Sequence, residues 1–541
     1  MATMYFPQYA RGRDGIDVRV GETILQHVRR IGGVEIDSEC GGRGTCGRDV
    51  IRVDQGAESL TEPTDVERRL LEQGGLDPGQ RLACQARVAD AARDIRVFIP
   101  NFGKYTILTD SVRTDVELAP CVSARDGRVA YHTGEDLGPQ DGRLLGLAVD
   151  VGTTTLAMQV VDLETGEDVG NPIASKNPQI AYGNDVISRI GYTMEHEGGL
   201  RELQGAVAGG INRSLTELEK QLAVEEGSIA GRIYDVVAVG NSTMRALLFG
   251  QDVHDLGVIP FEPSDKEAVT VASRGLGLRV HPRGMAYGAP LIGGHAGADC
   301  LANIIATRLY ESDRTEMIID IGTNGEVVIG NAERMMTASC AAGGAYEGYQ
   351  IRCGVGAIQG AITRLAIRDG QIEYTTIGDK PPLGLCGSGV IDLLAELVRH
   401  HIVNDRARLK EEYHLTNGIR VCQDDINQLI VAKAGLRADQ DLLIKYFGTT
   451  LEAVDTIYLA GAFGNYMDIE NAMMIGLLPR TGAETFVRFG NGALAGARDM
   501  LVSQHKRKTA EGLSGRIRHT KPNEIEGPEF QYMVAERMYF N

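Results

Sequence analysis

One turn is written twice in this chain. Leu145-Gly-Leu-Ala-Val-Asp150-Val-Gly152-Thr153-Thr154-Thr155 and Met317-Ile-Ile-Asp320-Ile-Gly322-Thr323-Asn324-Gly325-Glu326 carry an apolar run, an acidic residue, a glycine and a hydroxyl in the same order. Each continues into a second apolar run, Leu156 to Val161 and Val327 to Ile329. The pattern predicts two β-hairpins, each with a carboxylate at its tip. Glycine removes the Cβ that would keep backbone N–H groups away from phosphate oxygens, and the hydroxyls add donors, so Gly152, Thr153, Thr154, Gly322, Thr323 and Asn324 are candidate phosphate contacts. Asp150 and Asp320 close the first strand of each hairpin, where they can hold Mg²⁺ through its waters. One such turn is an ordinary hairpin; two copies about 170 residues apart predict duplicated lobes facing one nucleotide.

Three further segments suit that arrangement. Val236-Val-Ala-Val-Gly240-Asn241-Ser-Thr243 reads as a buried strand entering a polar turn and a helix. Ile457-Tyr-Leu-Ala-Gly461-Ala-Phe-Gly464 ends an apolar strand in glycines. Gly387-Ser388-Gly389 opens the apolar-periodic stretch 390–398 and is either an anion site at a helix start or a plain helix cap. The set resembles the actin, sugar kinase and Hsp70 superfamily, whose two RNase H-like lobes clamp ATP. The resemblance implies that Gly240 and Asn241 belong to the connecting motif, and that Gly461 and Gly464 lie flat against the base and ribose.

The N-terminal hundred residues pose a different problem. Cys40-Gly-Gly-Arg-Gly-Thr-Cys46-Gly-Arg-Asp49, with Cys84 downstream, stands close to a plant-type [2Fe-2S] loop, but the spacing is C-x5-C-x2-D…C. Asp49 occupies the place of the third cysteine. Either it is an oxygen ligand beside Cys40, Cys46 and Cys84, or the site is weakened or empty. Thr23-Ile-Leu-Gln26 predicts a capping box opening a short helix through Ile31. Ile51/Val53 and Ile95/Val97/Ile99 alternate as half-buried strands do. The order resembles a β-grasp ferredoxin domain over residues 1–100.

Taken together the halves resemble the reductive activators of corrinoid-dependent enzymes, and the resemblance covers nearly the whole chain. Asn177-Pro-Gln, Gly183-Asn-Asp-Val-Ile-Ser-Arg-Ile190, Ala341-Ala-Gly-Gly-Ala-Tyr-Glu-Gly348, Asp424-Asp-Ile-Asn with Ala432-Lys-Ala, and Ile475-Gly-Leu-Leu-Pro479 look like blocks of that family. Its pattern would place cysteine at 49 and proline near 344; here stand Asp49 and Gly344. The resemblance implies a multidomain α+β and α/β chain: a ferredoxin-like domain, a linker over 101–143, and a two-lobed ATPase domain over 144–541, with lobes at about 144–315 and 316–541. It also implies ATP-stimulated reduction of a partner corrinoid protein from Co(II) to Co(I), within a methyltransferase system. The cofactors would be a [2Fe-2S] cluster, ATP and Mg²⁺, and the electron donor a low-potential ferredoxin, flavodoxin or reductase. For one electron, about 59 mV of uphill potential costs about 1.4 kcal/mol, so closure of the lobes on ATP is expected to help by favouring a complex in which cobalt is easier to reduce.

Composition narrows the classes. A net charge of −18 lacks the basic footprint of a nucleic-acid binder, and no apolar stretch approaches a membrane span. A cytoplasmic enzyme without nucleic-acid or membrane partners is expected. Nine cysteines, an odd number, suggest reduced thiols, and six of them lie outside the cluster set. Cys121 alone is a conceivable substitute ligand. Residues 101–142 read as a linker with a short strand pair, and His505-Lys-Arg-Lys508 reads as a solvated basic surface. Two other classes remain: a small-molecule kinase with a regulatory ferredoxin domain, in which Glu326 or Asp185 would be the base, and an Hsp70-like chaperone.

Overall fold

The computed structural model describes residues 2–6, 15–31, 36, 38, 42–44, 49–72, 76, 79–98, 114–225, 227–322, 324–340, 344–346, 351–416, 419–461, 464 and 466–540. Cys40, Cys46 and Thr323 lie outside these, as do Ile99 and most of 341–348.

The N-terminal unit is a five-stranded sheet in the order Ile16–Asp17, Thr3–Tyr5, Ile95–Phe98, Val50–Gln55, Gln80–Leu82. Ile51, Ile95 and Val97 turn one face inward, as their alternation predicts, and Ile24, Leu25 and Val28 of the helix Ile24–Ile31 pack on them. The expected capping box is present: the Thr23 amide donates to Gln26 Oε1 at 2.8 Å, and the Gln26 amide to Thr23 Oγ1 at 3.2 Å.

Both hairpins form, each in the interior of a six-stranded sheet. Leu145–Val151 pairs antiparallel with Thr155–Asp162, which pairs with Ile173–Lys176; on the other side, Ile233–Gly240 and then Met285–Gly288 run parallel to the first strand. In the second lobe Glu316–Ile321, Gly325–Gly330, Met335–Cys340, Thr456–Ala460 and Phe486–Gly490 repeat that order, 3-2-1-4-5, with the same strand directions. Their near-continuous apolar runs follow from burial on both faces; all eight residues of Ile233–Gly240 are buried. This is the duplicated α/β architecture that the repeated turn predicts.

Two helices, Ala298–Thr307 and Gly492–Val502, join the lobes. They touch at Gly496, where a Cβ would lie 2.1 Å from the Ala302 carbonyl oxygen. Residues of both share one core with Ala148 and Val239 of the first sheet and Ile318 and Val328 of the second.

Two expectations are corrected. The segment before the first lobe holds three strands, Val122–Arg125, Arg128–Tyr131 and Asp136–Pro139, and Cys121, Val129, Tyr131 and Leu137 sink into the shared core. That core is not the one containing Cys84, and burial pushes the Cys121 thiol up to about 11, so Cys121 is a packing residue. The basic run is also only partly solvated. Arg507 is buried against Asp235 and Tyr131, and Lys506 donates to Tyr310 Oη at 2.6 Å.

A candidate nucleotide cleft and cluster rim

The hairpin tips bring Asp150 and Asp320 to one cleft. The Asp150 Oδ2 atom accepts from Asn491 Nδ2 at 3.0 Å, and Asp320 Oδ2 accepts from Asn303 Nδ2 at 2.6 Å. Each carboxylate is thus aimed by an asparagine on or beside one of the two joining helices. Glu326 is the register partner of Asp320 across the second hairpin, and Ser339 Oγ donates to its Oε1 at 3.4 Å. A fourth carboxylate, Asp299, lies in the first turn of Ala298–Thr307 and accepts from the Cys300 amide at 2.8 Å. Sequence reasoning missed it; the available signal was the run Gly293-Gly294-His295-Ala296-Gly297-Ala298-Asp299, a glycine-rich entry to a helix.

The four carboxylates affect one another's titration. Asp150 is pushed up to about 7, first by burial and then by the charge of Asp320, against the Asn491 hydrogen bond. Asp299 is also pushed up to about 7, by burial and then by Asp150 and Asp320. Burial raises Asp320, and raises Glu326 well above the ordinary range with help from Asp299 and Asp320. Such a group strongly favours a cation. Among the described residues no three His, Cys, Asp or Glu side chains converge on one metal position.

The first turn is held from below. Asn241 Nδ2 donates to Thr153 Oγ1 at 3.0 Å, Asn177 Nδ2 to the Gly152 carbonyl at 2.8 Å, and the Asn177 amide to the Thr154 carbonyl at 2.7 Å. Asn241, directly after Gly240, also caps Ser242–Leu248 by accepting from the Met244 amide at 2.9 Å. In the second turn the Gly322 amide donates to the Asn324 carbonyl at 3.1 Å. Gly461, at φ +84°, allows close approach: a Cβ there would lie 2.6 Å from Asp320 Oδ1. The Gly464 amide bonds back to the Gly461 carbonyl at 3.2 Å. Gly387, Ser388 and Gly389 are buried at the start of Gly387–Arg399, where Ser388 Oγ donates to the Thr363 carbonyl at 2.9 Å. That hydroxyl is engaged in packing the helix onto Ala361–Arg368, and the cap position itself, Cys386, makes no side-chain cap hydrogen bond.

A cavity of about 400 Å³ continues from the turns toward Ile517–His519. Asn241, Asn324, Ser339, Asp439 and His519 are among the residues that line it.

At the other end of the chain Asp49 is fully buried, and its Oδ2 accepts from the Cys84 amide at 2.6 Å. Val50 pairs with Leu82 in the sheet, so the strands themselves bring Asp49 and Cys84 together. Gly42 and Gly44 curl the preceding loop at φ +103° and +77°. A buried carboxylate beside a cysteine and a curled glycine loop is a donor set that fits an iron–sulfur cluster.

Comparisons with known proteins agree with this layout. The 2Fe-2S iron-sulfur cluster binding domain matches residues 11–89, the RACo middle region 145–312, and the C-terminal domain of RACo, the ASKHA domain, 314–540. The corrinoid activation enzyme RamQ of Eubacterium limosum is 31% identical over 392 residues, 67% of this chain and 65% of that protein. The [Co(II) methylated amine-specific corrinoid protein] reductase of Methanosarcina barkeri is 26% identical over 402 residues, 67% of this chain and 71% of that one. The match thus spans about 65% of RamQ's length. A solved structure described as a reductive activator for a corrinoid, iron-sulfur protein superposes with a TM-score of 0.71 at 28% identity, covering 100% of this chain and 98% of that one.

Proposed function

From the premise that this chain belongs to the reductive activators of corrinoid proteins, with a 2Fe-2S domain ahead of the RACo middle region and the RACo ASKHA domain, we propose that it reduces a partner corrinoid protein from Co(II) to Co(I) at the expense of ATP. The observation that carries the reading is the union in one chain of a cluster-type domain and two duplicated lobes whose hairpins bring Asp150, Asp320 and Glu326, with Asp299 of the joining helix, to one cleft.

The residues divide the work. Gly152, Thr153 and Thr154 offer amides and hydroxyls to phosphate oxygens from one side, and Gly322, Thr323 and Asn324 from the other. Gly461 and Gly464 leave flat backbone for the base and ribose, and Gly240 and Asn241 hold the first turn in place. Asp150 and Asp320, aimed by Asn491 and Asn303, would hold Mg²⁺, which would supply the charge that lets phosphates and carboxylates share the cleft. Glu326, across the hairpin from Asp320, would orient the attacking water.

Cys40, Cys46, Cys84 and Asp49 would hold the [2Fe-2S] group, which would supply one electron. Asp49, buried and aligned by the Cys84 amide, presents oxygen where thiolate is usual. The donor is a low-potential ferredoxin, flavodoxin or reductase, and the setting is the cytoplasm; no described helix is long and apolar enough to cross a membrane.

The test follows the visible spectrum of a Co(II) corrinoid protein encoded beside this one, mixed with this protein and a low-potential reductant. Co(I) bands that form faster with ATP than without it support the reading. ATP-dependent phosphorylation of a small alcohol or acid, with no cobalt change, would replace it with a kinase.

A further inference from the structure

We propose that Arg29 is a latch fastening the 2Fe-2S domain to the first lobe, and that nucleotide at residues 152–154 works this latch through the segment 177–195. The proposal rests on the reading of that turn as a phosphate site.

Arg29 stands in the last turn of Ile24–Ile31, just ahead of the cysteine loop. Its Nε and Nη2 both donate to the Ala181 carbonyl, at 2.9 and 2.6 Å. The same guanidinium lies 4.6 Å from the ring centre of Tyr182 and 5.0 Å from that of Tyr192. The two rings meet edge to face at 5.0 Å, His196 stacks on Tyr192 at 4.1 Å, and Tyr192 Oη donates to Glu202 at 2.8 Å. A planar cation gripping one carbonyl between braced aromatic faces is a specific seat, which lysine could not fill in the same way. Beside it Arg43, within the loop, pairs with Glu195 at 2.7 Å, but both are exposed and the pair adds little.

The seat of Arg29 is also the support of the first turn. Asn177 binds the Gly152 and Thr154 carbonyls, Pro178–Tyr182 follows it directly, and Val186–Glu195 comes next. From that helix Arg189 donates to the Thr153 carbonyl at 2.5 Å, to Gly183 at 2.8 Å and to Gln179 Oε1 at 3.2 Å. Arg189 is completely buried, and burial pulls it down to about 9. A buried cation held by carbonyl and amide oxygens gains from any anion brought to the far side of the turn. Phosphates there draw on Arg189, and Arg189 moves with Ala181, Tyr182 and Tyr192. Linkage makes the effect reciprocal: if nucleotide changes docking, docking changes nucleotide affinity by the same factor.

The test uses the cluster-loaded full chain and two variants, Arg29→Ala and Glu195→Lys, with visible and electron paramagnetic resonance spectra to confirm the cluster. Hydrogen exchange of the peptides 24–31 and 178–195 is measured with and without a non-hydrolysable ATP analogue and Mg²⁺, and analogue affinity by calorimetry. In the wild type, exchange in 24–31 should change when the analogue binds, although those residues lie in another domain. In Arg29→Ala that peptide should exchange faster in both states and ignore the analogue, and affinity should shift by about fivefold or more. Glu195→Lys, which sets two cations together at an exposed site, should shift exchange in the same direction by less. Analogue binding with no change at 24–31 in the wild type, or wild-type affinity in a cluster-loaded Arg29→Ala, would overturn the latch. Should Arg29→Ala lose its cluster, Arg29→Lys, which keeps the charge and loses the planar fork, is read in its place, and wild-type exchange and affinity there overturn the latch. No analogue binding at all would overturn both the latch and the phosphate reading of the turn.

Discussion

The Cys84 backbone amide donates to the carboxylate of Asp49 at 2.6 Å, so an oxygen donor and a thiolate donor share one buried edge of the N-terminal domain. Hard oxygen favours Fe(III) over Fe(II), and thiolate favours the reduced state relative to it. Protein isolated without oxygen should therefore hold about two irons per chain, and Asp49→Cys should keep them while raising the midpoint potential and shifting the charge-transfer bands. Asp49→Ala should fall below about one iron. A wild type with less than about one iron that rises to about two in Asp49→Cys would recast Asp49 as a lost ligand.

The cleft carboxylates make a prediction about pH. Asp150 has a folded value of about 7 against about 4 in an unfolded chain, so its contribution is fully present below about pH 4 and is lost as pH rises through about 7. Ligand-free protein should thus lose thermal stability across that window, and Asp150→Asn should flatten the loss. At pH 8 the variant should melt higher, by roughly 2–4 °C for each kcal/mol relieved. Mg-ATP at a hundred times its Kd should stabilise the wild type by about 2.7 kcal/mol and either Asp150→Asn or Asp320→Asn by far less. Differential scanning calorimetry across pH checks both signs.

Arg507 and Asp235 form a buried ion pair, with side chains 4% and 0% exposed. Removing one partner strands the other, so Arg507→Leu should cost about 3–5 kcal/mol, whereas Arg507→Leu with Asp235→Leu should be close to neutral or better. Urea unfolding of the two variants beside the wild type decides. A single variant as stable as the wild type would show that the pair contributes nothing.

Arg507 also shows where sequence reading stops. Residues 505–508 look like solvated charge because nothing local reveals Asp235, 272 positions away, as a partner. The hairpins, by contrast, were legible: glycine, hydroxyl and carboxylate lie within a few residues of each other, and strand periodicity is local. So was the helix opened by Thr23 and Gln26, whose two capping bonds span three residues. Asn303 and Asn491 aim Asp320 and Asp150 from helices 17 and 341 residues distant, and an asparagine in isolation carries no signal of such a role. Ser388 was ambiguous for the converse reason: a hydroxyl at a helix start suits an anion or a carbonyl equally, and only the fold supplies Thr363.

Asp299, the carboxylate that sequence reading passed over, offers a test of the cleft as an electrostatic unit. Its titration is raised by burial and then by Asp150 and Asp320, and its own charge, after burial, raises Glu326. Mutual repulsion works in both directions. Asp299→Asn keeps the shape and removes one negative charge, so Asp150 and Glu326 should ionise at lower pH. Since Mg-nucleotide binding needs ionised carboxylates, the acid limb of its affinity should move down, by roughly one pH unit if the coupling is worth about 1.4 kcal/mol. Calorimetric titration of Mg-ATP between pH 5 and 8 reads this directly. A variant whose affinity falls equally at every pH would instead make Asp299 a direct holder of the hydrated ion, and one that matches the wild type throughout would place it outside the working cleft.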